Sequence, residues 1–333
     1  MSDLRIAVIG TGAITQLAHL PVLSKARGVR LLALCDNDAP KARALADRFE
    51  VPDVFTDFEE LLEVDELDAV IIATPNHLHE PHVLSALRAG VHVLCERPLA
   101  LTSRGVERVL TAAQKADRMV LVGNNHRFRS DVQGLDRFVR GGELGAITSI
   151  RAGAYSLDRP EGWRRRRAEA GGGAFLEHGF NLLDLALWLA DFPDPVRVNA
   201  SSTKGRGGAA GVEDGMLVGM ECAGDLSIGF DVTWNYVGQH ERNWFEVLFA
   251  RGSARLAPLR VVKELNGRAV DVSPSGGTQR ESPFLQSYRA ELTHFVAVLR
   301  GEAAYEPPSD QVLVTKVLEA IYRAADEHKE IRL

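Results

Sequence analysis

Long hydrophobic runs are missing from this 333-residue chain. No stretch approaches the roughly 20 consecutive apolar residues that a membrane helix needs, so no membrane partner is expected. A basic excess is missing too: 39 Lys and Arg stand against 45 Asp and Glu, a formal net charge of −6. Phosphate backbones want a basic face, which argues against nucleic acid as a main partner. Cysteine is scarce. Cys35, Cys95 and Cys222 are odd in number and far apart, a pattern that fits a reducing compartment better than a disulfide scaffold. No internal repeat and no low-complexity linker is visible. The opening MSDLRIAVIG reads as entering a hydrophobic strand at once, which leaves no room for a signal peptide. A cytoplasmic protein is the expectation.

What is present, 45% hydrophobic and 25% charged residues, is the composition of a soluble globular protein, and the length suits two domains. Residues 4–9, LRIAVI, form a short continuous apolar run of the kind that suits a strand buried on both faces. GTGAIT and a helical segment to about Lys25 follow. VRLLALCD, LDAVIIATP, VHVLCERP and RMVLVGNN then read as strands, and APKARALADRFE, HEPHVLSALRAG and SRGVERVLTAAQKAD as the helices between them. Strands alternating with helices imply crossover connections and a doubly wound parallel sheet. After residue 123 the pattern changes to a helix, strand-like runs with hairpin signals such as AGD and NGR, and two late helices at 284–300 and 309–328. The expected fold is α/β: a Rossmann domain over 1–123 and a second α/β domain over 124–333. GRGGAAGVEDG (205–215) reads as a flexible loop.

On such a sheet Gly10-Thr11-Gly12-Ala13-Ile14-Thr15 has a mechanical meaning. Gly10 permits a tight turn off the strand, Gly12 lets backbone approach a pyrophosphate, and the following helix start, with Ala13 and Ile14, offers N–H groups. The strand-before, helix-after context supports the dinucleotide reading. Asp36 lies 26 positions after Gly10, at the end of the second strand. A carboxylate there accepts hydrogen bonds from ribose hydroxyls and repels a 2′-phosphate, which favours NAD over NADP.

Residues 171–189, GGGAFLEHGFNLLDLALWL, pose a question of their own. At about 100° per residue, Glu177, Asn181, Asp184 and Trp188 fall in one stripe of an otherwise apolar helix. Such a helix is usually buried, and buried polar groups need partners. The stripe therefore either meets polar protein or lines a wet cavity where a ligand sits. His178 falls to the side, toward Leu182 and Leu185, which fits a histidine satisfied at an interface; an irregular first turn would reverse that reading.

ATPNHLHEPHVLSALRAGVHVLCERPLAL (73–101) resembles the signature of the glucose–fructose oxidoreductase / inositol dehydrogenase (Gfo/Idh/MocA) family. Arg127-Phe128, Trp163-Arg164 and the triple glycine 171–173 extend the resemblance over essentially the whole chain. The resemblance implies an α/β second domain with an open mixed sheet, an active site between the two domains, and self-association through the sheet face left uncovered by helices, as a homodimer or homotetramer. It also implies that Thr74, Pro75, Asn76, His79, Glu96 and Arg97 line the cofactor and that the helix after the triple glycine carries catalytic residues. In the family that helix bears an aspartate and a histidine four residues apart, and the strand-end motif reads Glu-Lys-Pro. Here the aspartate position is Glu177, the histidine position Asn181 and the lysine position Arg97.

These changes matter for proton handling. Oxidising an alcohol requires a group that accepts the hydroxyl proton. An asparagine amide does not titrate in the useful range, and arginine stays protonated. Glu177 keeps a carboxylate, and burial would move it toward the working range. It is the candidate base, with Arg97 as electrostatic stabiliser, Asn181 as positioner and His178 as the next candidate.

Other signals are weaker. The three histidines of HLHEPH (77–82) lack a matching ligand cluster elsewhere, so no metal is expected. WRRRRAEAGGG (163–173) reads as a solvated loop or as a grip on a substrate carboxylate or phosphate; Trp163 and Arg164 are substrate candidates. NNHRF (124–128) should end a strand, where α/β sheets bind ligands, which adds Asn125 for the cofactor and Arg127 for the substrate. The expectation is an NAD(H)-dependent oxidoreductase acting on a sugar, cyclitol or related polyol. An NAD-binding sensor without redox turnover and an NAD-dependent glycosidase are the alternatives.

Overall fold

The computed structural model describes residues 2–204, 211–274 and 281–333. Its first 125 residues contain β1 (Leu4–Ile9), α1 (Leu20–Leu23), β2 (Val29–Cys35), α2 (Ala39–Phe49), β3 (Asp53–Phe55), α3 (Phe58–Leu62), β4 (Ala69–Ile72), α4 (His79–Arg88), β5 (His92–Glu96), α5 (Ser103–Ala116) and β6 (Val120–Gly123). The strands form a six-stranded sheet in the order β3-β2-β1-β4-β5-β6, every pair parallel. Chain order reverses at β1, between β2 and β4, which is where such sheets open a crevice at the carboxyl ends of their strands. β4 reads AVII and is buried throughout, as a central parallel strand must be. The helices are bounded by side-chain chemistry: Asp38 caps α2 by accepting from the Lys41 amide, and Thr102 caps α5 by accepting from Gly105. β3 and α3 were not anticipated, being too short to carry a period.

The rest of the chain contributes α6 (Ser130–Arg140), β7 (Ile147–Tyr155), α7 (Arg167–Ala170), α8 (Phe180–Leu189), β8 (Pro195–Thr203), β9 (Gly215–Cys222), β10 (Leu226–Thr233), β11 (Arg242–Phe249), β12 (Gly252–Arg255), β13 (Arg260–Leu265), β14 (Arg268–Asp271), α9 (Pro283–Leu299), α10 (Asp310–Glu327) and β15 (Ile331–Arg332). Nine strands pair in the order β14-β13-β12-β11-β7-β10-β9-β8-β15. β7 and β10 run parallel and the other described pairs are antiparallel. By its contacts the chain divides into two compact units, residues 1–125 with 281–312 and residues 126–280 with 313–333. In the first, α9 covers one face of the parallel sheet, with Leu292 and Phe295 packed among Ile6, Val8, Leu34, Ile71 and Leu94.

In the second unit β10 alternates strictly, with Leu226, Ile228, Phe230 and Val232 buried and their neighbours half-exposed. α8 packs against β7 and β10. The opposite face of the sheet is more polar and leaves Leu217 and Leu248 exposed. Residues 205–210 of the expected loop lie outside the described residues. The remainder of that stretch is not a loose loop: Val212 and Glu213 are buried, and Gly215 opens β9.

Candidate nucleotide and substrate sites

The first unit gathers its candidate residues at the carboxyl ends of β1, β2, β4 and β5. Gly10 has φ +91°, and a Cβ there would stand 2.4 Å from the Ala73 carbonyl oxygen; only glycine fits. Gly12 faces open space, with nothing within 4 Å of where its Cβ would be. Thr15, in place of a third glycine, is buried and donates its hydroxyl to the Gly10 carbonyl at 2.6 Å. A π-helical turn, Thr15–His19, follows directly. Asp36 stands beside this turn. Its Oδ2 accepts from the Thr11 amide and hydroxyl, both at 2.7 Å, and its Oδ1 lies 3.0 Å from Lys41 Nζ. Burial pushes the Asp36 carboxyl up, but the hydrogen bonds from Thr11, Asp38 and Lys41 outweigh it and hold the group below its ordinary value. A tight turn, an open approach over Gly12 and an ionised acid at the second strand end fit the pyrophosphate and ribose of a dinucleotide.

His79 is fully buried between two carbonyls, Pro98 O at 2.7 Å from Nδ1 and Thr74 O at 2.8 Å from Nε2. It thus ties the Thr74-Pro75-Asn76 turn to the Arg97-Pro98 turn. Burial pushes its imidazole down against the pull of both carbonyls. His82 lies against the Phe58 ring, 4.4 Å between centroids, with Nδ1 3.3 Å from the Thr74 hydroxyl; burial pushes it down to about 4. Glu96 pairs with His19 at 2.9 Å and packs on Gly123, where a Cβ would come within 3.0 Å of its carboxylate. Glu291 of α9 is buried, and burial together with the Glu96 charge pushes its carboxyl well up. Asn125 donates its side-chain amide to Ser287 at 3.0 Å.

The histidines have a consequence for pH. A buried imidazole kept neutral must take up a proton when the chain unfolds below pH 6.5, so its stabilising contribution is present above that pH and is lost as pH falls. For His82 the window runs from 6.5 down to about 4. Thermal unfolding followed between pH 7.5 and 4.5 should show a decline toward acid that is shallower in a His82→Asn variant. Parallel curves for the two proteins would remove His82 from the account.

In the second unit the helix of the sequence reading divides into a π-helical turn, Phe175–Gly179, followed by α8. Three residues of the polar stripe meet arginines. Asp184 is 2% exposed and receives a bidentate pair from Arg127, Nε at 2.8 Å and Nη2 at 2.5 Å. Trp188 lies under Arg140, 5.9 Å from the ring centroid. Glu177 stands 3.6 Å from Arg164, which also reaches Asp158 at 3.3 Å. The Glu177 side chain is 28% exposed. Glu177, His178, Asn181 and Leu182 are half-buried, on a wider face than an ideal helical wheel allots. The His178 ring is edge-on to Trp234, at 6.4 Å.

Of the four arginines in WRRRR, Arg164 faces Asp158 and Glu177, Arg166 pairs with Glu169, and Arg167 pairs with Asp326 at 2.9 Å. This leaves less of the basic run for an anionic substrate. Trp163 is half-buried on the short turn Gly162–Arg165. Sequence reasoning missed Glu213, which is buried, and Tyr322, which is half-buried. Glu213 accepts from the amides of Gly173 and Phe175 and from the Tyr322 hydroxyl. Burial pushes its carboxyl up while these donors pull it down, and burial prevails.

A parallel sheet ending in this turn and acid defines a dinucleotide-binding protein. Residues 4–124 match the oxidoreductase family with an NAD-binding Rossmann fold, and residues 132–255 match the GFO/IDH/MocA C-terminal domain. The chain belongs to the Gfo/Idh/MocA oxidoreductases. It is 26% identical to D-glucoside 3-dehydrogenase of Escherichia coli K12, across 100% of this chain and 98% of that protein. Among solved structures it is similar to GenD2 from gentamicin A biosynthesis in complex with NAD, at 26% identity, TM-score 0.87, and coverage of 100% of this chain and 97% of that one. It is also similar to aldose-aldose oxidoreductase from Caulobacter crescentus complexed with glycerol, at 25% identity, TM-score 0.84, and coverage of 99% and 100%.

Proposed function

We propose that the protein is an NAD(H)-dependent dehydrogenase or reductase of a hydroxyl or carbonyl on a sugar, cyclitol or related polyol. The observation that carries this reading is the pairing of functions in one chain: the open Gly12 turn beside the ionised Asp36, and the half-buried Glu177–Asn181 face on the helix after the triple glycine. Relatives named for glucoside and aldose substrates support the substrate class.

When bound, the nicotinamide supplies or accepts the hydride. Gly10, Gly12, Ala13 and Ile14 would hold the pyrophosphate, Asp36 the ribose, and Thr74–Asn76, Glu96–Arg97 and Asn125 the nicotinamide end, while His79, buried on the Thr74 and Pro98 carbonyls, would act through those turns and not by touching the cofactor. Glu177 accepts the hydroxyl proton, Asn181 orients the hydroxyl by hydrogen bonding, and Arg97 stabilises developing negative charge on oxygen. Arg164 holds the Glu177 carboxylate in place, and Trp163 shields the substrate from water. Arg127 acts on the site through Asp184. The exposed Leu217 and Leu248 on the open sheet face support self-association there as a homodimer or homotetramer. Three free, buried cysteines support a cytoplasmic location.

The test is to incubate the purified protein with NAD and a panel of sugars, sugar acids and cyclitols and follow the reduced-nicotinamide absorbance. Turnover with one compound class supports the reading. Silence, with NAD binding measured by calorimetry, moves the weight to a non-redox NAD sensor. The arginine at position 97 and the asparagine at position 181 favour that second reading. Glycoside cleavage with no net change in the cofactor would indicate the glycosidase chemistry instead. Cofactor choice has its own test. In Asp36→Ser, NAD should bind roughly ten- to a hundredfold more weakly, as expected for losing charge-assisted hydrogen bonds, and NADP should gain from the nearby Lys41. Unchanged affinities for both nucleotides would remove Asp36 from the ribose.

A further inference from the structure

Glu213 is a carboxylate where charge is costly: it is 5% exposed, two residues before β9. Among the described residues, its side-chain partners are all donors. Oε2 accepts the Gly173 amide at 2.9 Å, and Oε1 accepts the Phe175 amide at 3.0 Å and the Tyr322 hydroxyl at 2.9 Å. Its own carbonyl takes the amide between them, Ala174, at 3.0 Å. One residue thus satisfies three successive N–H groups at the head of the turn, groups that a helix start leaves without intrahelical partners. A glutamine would not do the same, because it offers a single acceptor oxygen and would turn donors toward donors.

Two of the three glycines are explained by this approach. A Cβ on Gly173 would stand 2.0 Å from the Glu213 carbonyl oxygen, and one on Gly172 would stand 1.9 Å from the Tyr322 hydroxyl. The residues on either side of Glu213 work in the same direction. Val212 packs with Ala174 and Trp234. Asp214 accepts the Trp234 indole N–H at 2.7 Å, and that indole faces His178. The turn held in this way passes directly into Glu177, whose amide donates to the Gly173 carbonyl at 3.0 Å.

We propose that Glu213 is a positioning residue: by clamping the amides of residues 173–175 it fixes the π-helical turn and so sets the orientation of the Glu177 carboxylate and the His178 ring during turnover. The inference rests on the oxidoreductase reading above. It differs from a stabilising role in what it predicts. Displacing a reacting group by about 1 Å costs up to a hundredfold in rate, without touching the nucleotide.

The test uses Glu213→Gln and Tyr322→Phe in the full-length protein, with two readouts. One is amide hydrogen exchange by mass spectrometry without ligand. The other is steady-state kinetics with NAD and whichever panel compound, for example a methyl glucoside or myo-inositol, turns over fastest. Exchange over residues 172–179 should rise about tenfold in Glu213→Gln, as losing one charge-assisted hydrogen bond implies, and less in Tyr322→Phe, with β9 and β10 unchanged. The kcat should fall roughly tenfold or more, with KM within about a factor of two and NAD affinity and stoichiometry at the wild-type level. Unchanged exchange in a folded variant overturns the clamp, and faster exchange with unchanged kcat overturns the positioning role. If Glu213→Gln does not fold, Tyr322→Phe carries both readouts. If the wild type turns over nothing in the panel, the oxidoreductase reading falls and the positioning role with it, while exchange still reports separately whether the clamp exists.

Discussion

Replacing Glu177 by glutamine should lower the rate of hydride transfer by about a hundredfold or more, while the affinity for NAD stays at the wild-type level. The expectation follows by elimination within one helix face and one strand end. Arg97 keeps its proton at any physiological pH, and the Asn181 amide neither gains nor loses one. Of the residues proposed to meet the substrate oxygen, Glu177 retains a group able to accept a proton, and glutamine removes that capacity at nearly constant volume. Arg164, 3.6 Å away, keeps a partner for its guanidinium in Asp158, so the variant leaves no stranded charge. Single-turnover kinetics, which separate chemistry from product release, are the measurement of choice, with calorimetric NAD titration as the control. A variant as fast as the wild type would move the base to His178, the next titratable side chain on the same half-buried face.

The reasons why some of this was legible in the sequence, and some not, are physical. The strand–helix alternation of the first unit is written in buried runs such as AVII of β4 and in capping residues such as Asp38 and Thr102, all of which act over a few neighbours. The same holds for Gly10: its positive φ and the close approach of Ala73 leave only glycine, and a glycine at that offset from a strand is visible. The position of Asp36 was readable for a similar reason: it follows directly on the apolar run of β2, and the structure puts it against Thr11 of the glycine turn.

What escaped depends on distant partners. The helical wheel placed Asp184 correctly in a polar stripe but could not supply Arg127, 57 positions earlier. The π-helical turn at Phe175–Gly179 widens the face that an ideal helix would present, and no local pattern marks it. Glu213 was hidden by its surroundings: glycines and alanines upstream suggested a loop, and nothing local says that a carboxylate will be buried against three amides 38–40 positions away.

The pair formed by Arg127 and Asp184 should show the largest effect on stability. Both members are largely buried, with side chains 17% and 2% exposed, and the guanidinium meets the carboxylate with two parallel hydrogen bonds. Removing one member takes from the other its bidentate partner inside the protein, which costs about 3–5 kcal/mol. Asp184→Ala should therefore lower the unfolding transition by roughly 10 °C, taking about 2–4 °C for each kcal/mol in a unit of this size. The Arg127 guanidinium would retain its place near the Phe192 ring, 5.5 Å from the centroid, but an aromatic face does not replace a carboxylate. The informative experiment is the double variant Arg127→Met with Asp184→Leu. Apolar residues of similar volume often replace a buried ion pair with little loss, because they abolish the desolvation of both charges. The double variant should be closer to wild type than Arg127→Met or Asp184→Leu alone, so the cycle should return a coupling energy at least as large as the loss in either single variant, about 3–5 kcal/mol or more. Additive losses would mean that the two side chains act independently of each other. If the double variant regains stability but not turnover, the pair serves to orient α8, which carries Asn181 and follows directly on the turn that carries Glu177, and its specificity would then come from the bidentate geometry that methionine and leucine cannot reproduce.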